Sequence, residues 1–271
     1  MKPPPFEYVR AGSVDETVAL LDDDTKILAG GQSLLPALNY RLVRPSRIVD
    51  VDRLTGLAEL VVGEGIRIGA LVRHAQLERD ARLSGPWRGL REAAAHVGHL
   101  PIRTRGTFGG SLAHADPAAE LCVAALAFGG KVVARSSAGE RRIDVDNLFV
   151  GPFTSTLAAD ELVTEVVLAP DARASAFEEF APRRGDYAFA SVCVVSRPDG
   201  VRIALGSVGA TPLRAQAAER ALAGGETAAG VARVAAEECD PVSDSHAPAA
   251  YRRSLVATLV ERAVHRLSEP Q

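Results

Sequence analysis

Short β-rich runs and short helical patterns alternate along the first 170 residues, and glycine or proline separates most of them. This alternation is typical of α/β units, in which helices cover the strands of a sheet. Beyond Pro170 three strand-like runs, at 177–181, 190–196 and 201–208, precede an alanine-rich helical region. Pro198-Asp199-Gly200, between the last two runs, is typical of a hairpin turn. The order predicts an α+β chain with a boundary near residues 170–176.

The predicted elements of the first part are short. We expect helices over 33–42, 73–79, 87–97 and 117–127, and strands over 26–29, 47–51, 59–62, 65–69, 131–134, 142–145 and 161–168. The strands at 59–62 and 65–69 form a predicted hairpin around Gly63-Glu64. Pro117 is expected to open its helix, because the N–H that proline lacks would be unpaired at that position. In the second part, helices are predicted over 213–223, 227–238 and 248–267.

Composition excludes several classes of protein. The chain has 271 residues, of which 47% are hydrophobic and 24% charged, so a disordered chain is excluded and one large or two medium domains are expected. A net charge of −3 argues against a nucleic-acid binder, and no uncharged run approaches the roughly 20 residues that span a bilayer. The three cysteines are widely spaced and cannot supply the thiolates of an iron–sulfur cluster. We expect a soluble, cytoplasmic protein.

A glycine pair, Gly30 and Gly31, is the first candidate for binding chemistry. The sequence of 29–36 is Ala-Gly-Gly-Gln-Ser-Leu-Leu-Pro, a predicted strand that leads through a turn into a helix. Glycines permit close backbone approach, and Ser33 with the N–H groups of a helix start can bind an anion. Neither a Walker nor a Rossmann glycine motif is present. A purely structural connection, with Ser33 as the helix N-cap, is the alternative.

A second glycine segment lies about 75 residues later. Residues 100–117 include Gly106, Gly109 and Gly110, framed by Thr107 and Ser111, and this pattern predicts a second cradle of backbone donors. Two such segments in one domain suggest a pocket that holds a pyrophosphate from two sides. A tight structural crossing is the alternative for this segment, and the sequence alone does not show that the two segments meet.

Several motifs extend this pattern over nearly the whole chain. They are Ala-Gly-Gly-Gln-Ser-Leu-Leu-Pro at 29–36, Arg-Leu-Val-Arg-Pro-Ser-Arg-Ile-Val-Asp at 41–50, Ile-Arg-Ile-Gly-Ala-Leu-Val-Arg-His at 66–74, Ile-Arg-Thr-Arg-Gly-Thr-Phe-Gly-Gly-Ser at 102–111, Ala-Asp-Pro-Ala-Ala-Glu at 115–120, Leu-Phe-Val-Gly-Pro-Phe-Thr-Ser-Thr-Leu-Ala-Ala-Asp-Glu-Leu-Val-Thr at 148–164 and Arg-Arg-Gly-Asp-Tyr-Ala at 183–188. In this order they resemble the FAD-binding medium subunit of molybdenum hydroxylases, a family that includes carbon monoxide dehydrogenase and relatives of xanthine dehydrogenase.

The resemblance implies a two-domain organisation. Residues 1–172 would form a PCMH-type FAD-binding domain of two α/β subdomains, split near residue 55. Residues 173–271 would form a C-terminal domain, in which a small three-stranded antiparallel sheet is followed by a three-helix bundle.

Carried over by position, the resemblance also implies an FAD site. The pyrophosphate would be held on backbone N–H groups and one hydroxyl of the first loop: Ala29, Gly30, Gly31, Gln32, Ser33 and Leu34. A second wall would be formed by Thr107, Gly109, Gly110, Ser111, Ala113 and His114. Single residues would complete the site: Ile102 on the flavin side, Glu120 near the ribityl chain, Leu162 at the adenine and Arg184 near the isoalloxazine. A positive charge there favours the anionic reduced flavin.

The chain departs from the family pattern at four positions. The family commonly has Gln, Asn, Ile and Asn where this chain has Pro101, Thr104, Phe108 and Ser111. Ser111 keeps a hydrogen-bond donor but has a shorter reach, and Phe108 adds bulk beside the cofactor. Neither change argues against FAD binding.

The implied function is that of an electron-transfer subunit. A large partner would carry the molybdenum cofactor, a small partner would carry 2Fe–2S clusters, and FAD on this chain would pass the electrons to an external acceptor. No catalytic residue is assigned to this chain. Two alternatives remain: a stand-alone FAD-dependent oxidoreductase that acts directly on a small molecule, and a non-catalytic assembly subunit.

Two other features receive an interpretation. His96-x-x-His99 with His114 lacks a carboxylate or cysteine ligand at suitable spacing, so we expect no metal site. Tyr187 is either a core aromatic of the C-terminal sheet or a shield over the flavin, and the core is the preferred interpretation.

Overall fold

The computed structural model describes residues 2–63 and 65–268. The strands β1–β14 are Glu7–Arg10, Thr25–Leu28, Arg47–Asp50, Leu60–Val62, Ile66–Gly69, Gly130–Ser136, Gly139–Asp144, Phe149–Gly151, Thr154–Ser155, Leu162–Leu168, Ala174–Phe180, Ala190–Arg197, Gly200–Gly206 and Leu213–Arg214. The helices α1–α10 are Val14–Ala19, Leu34–Asn39, His74–Arg79, Arg88–His96, Leu100–Arg105, Phe108–His114, Glu120–Phe128, Gln216–Ala223, Ala228–Glu238 and Ala249–Arg266. Among these described residues, no helix is long and apolar enough to cross a membrane.

The first subdomain is a small parallel sheet with strand order β1-β3-β2. The sequence interpretation missed β1, whose residues are mostly exposed and show no clear alternation. It also missed α1, although Ser13 and Glu16 have the spacing of a capping box. The Ser13 hydroxyl accepts the Glu16 N–H at 3.0 Å, which begins this short helix. The helix and the sheet enclose a core that includes Val18 and Val49.

The second subdomain is built on a five-stranded sheet with order β4-β5-β10-β6-β7. Its central strand, β10, pairs antiparallel with both β5 and β6. The predicted hairpin is confirmed as β4 and β5, although Glu64 in its turn lies outside the described residues. Helix α7 is buried on every side, as its unbroken apolar sequence requires.

The C-terminal sheet, with order β11-β12-β13-β14, is antiparallel and covered on both faces. Alternate residues of β12 point to different cores: Cys193 joins the core around α4 and α7, while Val192 and Val194 join the core beneath α8–α10. The predicted α+β class, with a small antiparallel sheet and a three-helix bundle, is confirmed. The two-residue strand β14 extends the three predicted strands.

The predicted helix start at Pro117 is wrong, because α7 begins at Glu120. The Asp116 carboxylate accepts the N–H of Ala118 at 2.9 Å, and its carbonyl accepts the N–H of Ala119 at 3.0 Å. These bonds close an Asx turn, which competes with helical backbone geometry and delays the helix.

One arginine of the last helix, Arg266, forms hydrogen bonds to α4 and β11. The Arg266 guanidinium donates to the carbonyl of Phe177 at 2.9 Å and to the Glu178 carboxylate at 2.7 Å, both on β11. It also donates to the carboxylate of Glu92 on α4. Bonds to α4 and β11 therefore fix the C-terminal helix against the body that carries the candidate site.

Candidate functional site

The first glycine loop follows β2, at the carboxyl end of a parallel sheet. Ligands of α/β proteins bind in the crevice outside such strand ends. Gly31 has φ +73°, in the left-handed region that glycine adopts without strain. Within residues 2–63 and 65–268, no protein group accepts the backbone N–H of Gly31, Gln32, Ser33 or Leu34. Successive unpaired N–H groups of this kind form a nest that suits an anion.

Ser33 occupies the N-cap position of α2, as expected if the loop is a purely structural connection between strand and helix. Its side chain, however, makes no capping hydrogen bond, and the residue is exposed. The hydroxyl is therefore available to a ligand, and the geometry is compatible with anion binding as well as with a helix start.

The two glycine segments meet, which the sequence could not show. A Cβ built on Gly30 would overlap the carbonyl oxygen of Arg105, and it would lie 2.7 Å from that carbonyl carbon and 2.9 Å from Cα of Gly106. Only a residue without a side chain permits this approach. The first loop thus lies directly against the turn between α5 and α6.

An arginine clamp holds this junction together. The Arg73 guanidinium donates to the Arg105 carbonyl and to the Asp52 carboxylate, and the Arg105 guanidinium lies 3.6 Å from the same carboxylate. Asp52 follows β3 of the first subdomain, whereas Arg73 precedes α3 of the second. Sequence reasoning missed both partners. Arg73 stands inside one of the recognised motifs, but nothing local indicates its partner.

The second glycine segment is helical, and the expectation of a donor cradle at Gly109 and Gly110 is wrong. The Gly109 N–H donates to the Ala70 carbonyl at 3.0 Å, and the Gly110 N–H donates to the Thr107 hydroxyl at 3.2 Å. Thr107 is thus the N-cap of α6. A Cβ on Gly109 would lie 2.6 Å from Cβ of Ala70, so this glycine allows α6 to pack closely on the second subdomain.

A buried histidine, His74, packs against this segment. His74 Nε2 lies 3.2 Å from the Ser111 hydroxyl, and the His74 ring packs against Gly106. Burial, followed by repulsion from Arg73 and Arg103, lowers the pKa of His74 to about 4, which outweighs a backbone hydrogen bond at Thr107. The ring is therefore neutral near pH 7. Its pairing with Ser111 places that hydroxyl on the inner side of α6.

Acid should destabilise the fold through His74. The unfolded chain protonates this imidazole near pH 6.5, but the folded chain resists protonation until about pH 4. Its contribution to stability is complete above pH 6.5 and is lost as the pH falls from 6.5 towards 4. We expect a loss of about 2 kcal/mol at pH 5.

Urea unfolding at pH 7 and pH 5 measures this loss. His74→Gln should remove that part of the pH dependence, whereas the exposed control His265→Gln should retain it. An unchanged pH dependence in His74→Gln would contradict the assignment.

Glu120 is the buried acid of the site, at the first turn of α7. Burial, followed by repulsion from Glu179, raises the pKa of Glu120 to about 8, so this carboxyl carries a proton near neutral pH. The residue Tyr187 is 72% exposed, and its interpretation as a core aromatic is wrong. Partial burial, followed by repulsion from Asp116 and Glu120, raises the pKa of its hydroxyl.

A cavity of about 460 Å³ lies between the end of α4 and the segment that follows β11. Its volume is within the range of ligand pockets. It is lined by Ala95, His96, Glu179, Ala181, Arg183 and Arg184. A Cβ on Gly185 would lie 2.5 Å from the His99 imidazole, so this segment packs closely on the residues that follow α4. Arg184 therefore lies at a cavity beside Glu179.

The remaining predicted site residues occupy different environments. Ile102, on α5, packs against Gly98 near the end of α4. Ala113 is exposed, and the ring of His114 lies 5.2 Å from that of Phe153. Leu162 is buried in the core of the first subdomain together with Ala29. Helix α4 ends at His96, so His96 and His99 do not share a helix face. The described parts of the chain contain no cluster of metal-ligating side chains.

Comparison with known families covers both halves of the chain. Residues 4–170 match the FAD binding domain in molybdopterin dehydrogenase. Residues 175–267 match the CO dehydrogenase flavoprotein C-terminal domain.

Individual relatives match over nearly their full length. The chain is 43% identical to the 6-hydroxypseudooxynicotine dehydrogenase complex subunit alpha of Paenarthrobacter nicotinovorans, over 98% of this chain and 97% of that one. It is 40% identical to the nicotine 6-hydroxylase medium subunit of the same organism, over 97% and 98%.

Solved structures agree with these relatives. A chain of carbon monoxide dehydrogenase from Hydrogenophaga pseudoflava superposes with a TM-score of 0.93 at 33% identity, with 98% of each chain covered. A chain of quinoline 2-oxidoreductase from Pseudomonas putida 86 gives 0.91 at 34% identity, again with 98% of each covered. The chain thus belongs to the family of FAD-binding medium subunits of molybdenum hydroxylases.

Proposed function

We propose that this chain binds one FAD and transfers electrons within a complex with two partner subunits. A large subunit with the molybdenum cofactor oxidises the substrate, and 2Fe–2S clusters on a small subunit deliver the electrons to this chain. Bound FAD accepts electrons from the clusters and passes them to an external acceptor. The observation that carries the proposal is the nest of unpaired N–H groups at residues 31–34. The loop that contains this nest contacts the second glycine segment through Gly30.

The residues that hold the cofactor are assigned by position and local chemistry. Residues 29–34 bind the pyrophosphate, which the unpaired N–H groups and the uncommitted Ser33 hydroxyl support. The second wall is α6 with its N-cap: Thr107, Gly109, Gly110, Ser111, Ala113 and His114. Because Gly109 and Gly110 use their N–H groups within the protein, they contribute open space and close packing rather than donors.

The flavin end is assigned to the cavity beside α4. Glu179 and Arg184 line this cavity, and Arg184 supplies a positive charge at the isoalloxazine. Such a charge stabilises the anionic reduced form. Glu120, whose ionisation Glu179 opposes, and Ile102, which packs against Gly98 after α4, are the proposed neighbours of the flavin on the protein side. Leu162 remains the proposed adenine contact, although its burial leaves little side-chain surface for a ligand.

Domain division and location complete the proposal. We assign residues 1–172 to the FAD-binding domain, with its subdomains divided near residue 55, and residues 173–271 to the C-terminal domain. A cytoplasmic location is supported by the cysteines, which are buried and unpaired, as is usual in reducing compartments. Substrate choice lies with the molybdenum subunit.

Purification of the chain with and without its partners tests the proposal. The isolated chain should contain about one extractable FAD, and the complex should reduce an acceptor only when both partners are present. A chain that binds no added FAD would overturn the cofactor assignment. Turnover of a small molecule by the isolated chain would instead support a stand-alone oxidoreductase.

A further inference from the structure

Buried polar groups from three elements converge next to the cavity. Glu179 on β11 and Ser191 on β12 are paired in register, so their side chains lie on the same face of the sheet. The Ser191 hydroxyl and Cγ2 of Val123 both border the Cβ position of Gly206, the second at 2.5 Å. Ser191 thus faces the start of α7, and Glu120 lies one turn before Val123 on the same helix face. The carboxyls of Glu120 and Glu179 therefore occupy one polar cluster.

Two atoms of this cluster lack a partner within the described residues. Glu179 Oε2 and Ser191 Oγ are buried without a hydrogen bond, and no other described residue donates to the Glu120 carboxyl. A buried acceptor without a donor is costly, and two adjacent carboxyls do not both ionise. A protonated Glu120 would bring a hydrogen-bond donor into this cluster, where Glu179 Oε2 has none.

The other oxygen of Glu179 leads towards solvent. Glu179 Oε1 lies 3.2 Å from His96 Nδ1, and the two side chains are 3% and 43% exposed, respectively. His96 lines the cavity together with Glu179. The imidazole thus lies between a carboxylate that is almost fully buried and the surrounding solvent, and an imidazole nitrogen can accept or donate a proton.

We propose that Glu120, Glu179 and His96 form a proton store beside the flavin site, in which the two carboxyls share one proton and His96 exchanges it with solvent. The role of this store rests on the proposed function, since electrons delivered to a bound flavin bring a demand for protons. The Glu120 carboxyl would give up its proton to the flavin as the flavin is reduced, and would become a carboxylate. A proton then passes from solvent through His96 and Glu179 to restore the acid, while the electrons come from the partner clusters.

The charges around the store favour its protonated form. Glu120 is faced by Asp116 from the turn before α7, by Glu179 from β11 and by Tyr187 from the segment after β11. These acidic groups oppose ionisation of Glu120. The Cys122 thiol follows on α7, where burial and repulsion from Asp116 and Glu120 raise its pKa, so it stays neutral. Opposite them, the cationic side chains that line the cavity are Arg183 and Arg184.

Infrared spectroscopy of the full chain without FAD tests the shared proton. The wild type should show a protonated-carboxyl band at pH 7 that disappears as the pH rises through about 8, and Glu120→Gln should lack this band. Glu179→Gln removes the neighbouring charge and should move the disappearance to lower pH. A wild-type spectrum identical to that of Glu120→Gln at pH 7 would overturn the proposal, whether or not the chain binds FAD.

Time-resolved measurement of proton uptake tests the route through His96. The FAD-loaded chain is photoreduced in an indicator solution, and proton uptake is followed. Uptake should be slower by about 100-fold in His96→Gln than in the wild type, because a positioned proton carrier contributes at least about this factor. The exposed control His265→Gln should behave as the wild type, and all three proteins should contain equal FAD. An unchanged uptake rate in His96→Gln would remove His96 from the route. A chain that binds no FAD would contradict the proposed function, but it would not affect the infrared test, which uses the chain without FAD.

Discussion

Gly30→Ala should weaken FAD binding by about 100-fold while the rest of the fold is retained. The added Cβ would overlap the backbone carbonyl of Arg105, which the Arg73 clamp holds in place. Gly30 does not have a positive φ, so the effect comes from the methyl group and not from backbone strain. Overpacking of a tight contact costs up to about 3 kcal/mol, which corresponds to about 100-fold in Kd. The two walls of the proposed pyrophosphate site would move apart.

Titration of the FAD-free protein with FAD, followed by quenching of flavin fluorescence, measures this change. Gly56→Ala is a matched control, because no atom lies within 4 Å of the Cβ that it adds. The control should bind FAD as the wild type does. Equal affinity in Gly30→Ala would show that the contact between the two glycine segments does not shape the site.

Glu120→Gln should stabilise the FAD-free chain by about 4 kcal/mol at pH 8. The folded chain holds this carboxyl protonated up to about pH 8, whereas the unfolded chain releases the proton near pH 4.5. Glu120 therefore does not destabilise the folded wild type below pH 4.5. As the pH rises from 4.5 towards 8, the free energy of unfolding of the wild type decreases. Glutamine has no proton to lose, so the difference grows over this interval and reaches about 4 kcal/mol.

Urea unfolding of both proteins between pH 5 and pH 8 provides the measurement. Glu237→Gln serves as the control, since the Glu237 side chain is 68% exposed and its substitution should change stability little. Equal stability of Glu120→Gln and the wild type at pH 8 would mean that the pKa of Glu120 is not raised in the folded protein.

Sequence reasoning located the glycine loops but not the way in which they work. Gly30 and Gly31 are visible in any pattern search, and the helix or strand type of most neighbouring elements follows from periodicity. The contact between Gly30 and Arg105 joins segments about 75 residues apart, and so does not follow from local pattern. The same holds for Arg73 and Asp52, which are ordinary charged residues until the fold brings them together.

The second segment shows why glycine content alone misleads. Three glycines within five residues predicted a cradle of backbone donors, yet Thr107 caps a helix that begins immediately after it. The cap outweighs the low helix propensity of glycine because it satisfies an otherwise unpaired N–H. Tyr187 is a similar case: a large aromatic beside a strand suggested a core residue, but the strand β12 begins only after it, at Ala190.

The central position of β10 has a consequence for the order in which the protein matures. This strand, at Leu162–Leu168, completes a sheet with β5, at Ile66–Gly69, nearly one hundred residues earlier in the chain. During synthesis the glycine segments leave the ribosome well before the strand that closes the sheet behind α6. FAD should therefore be captured after translation has passed β10, by a chain whose second subdomain has already closed, and cofactor supply can limit assembly without limiting synthesis.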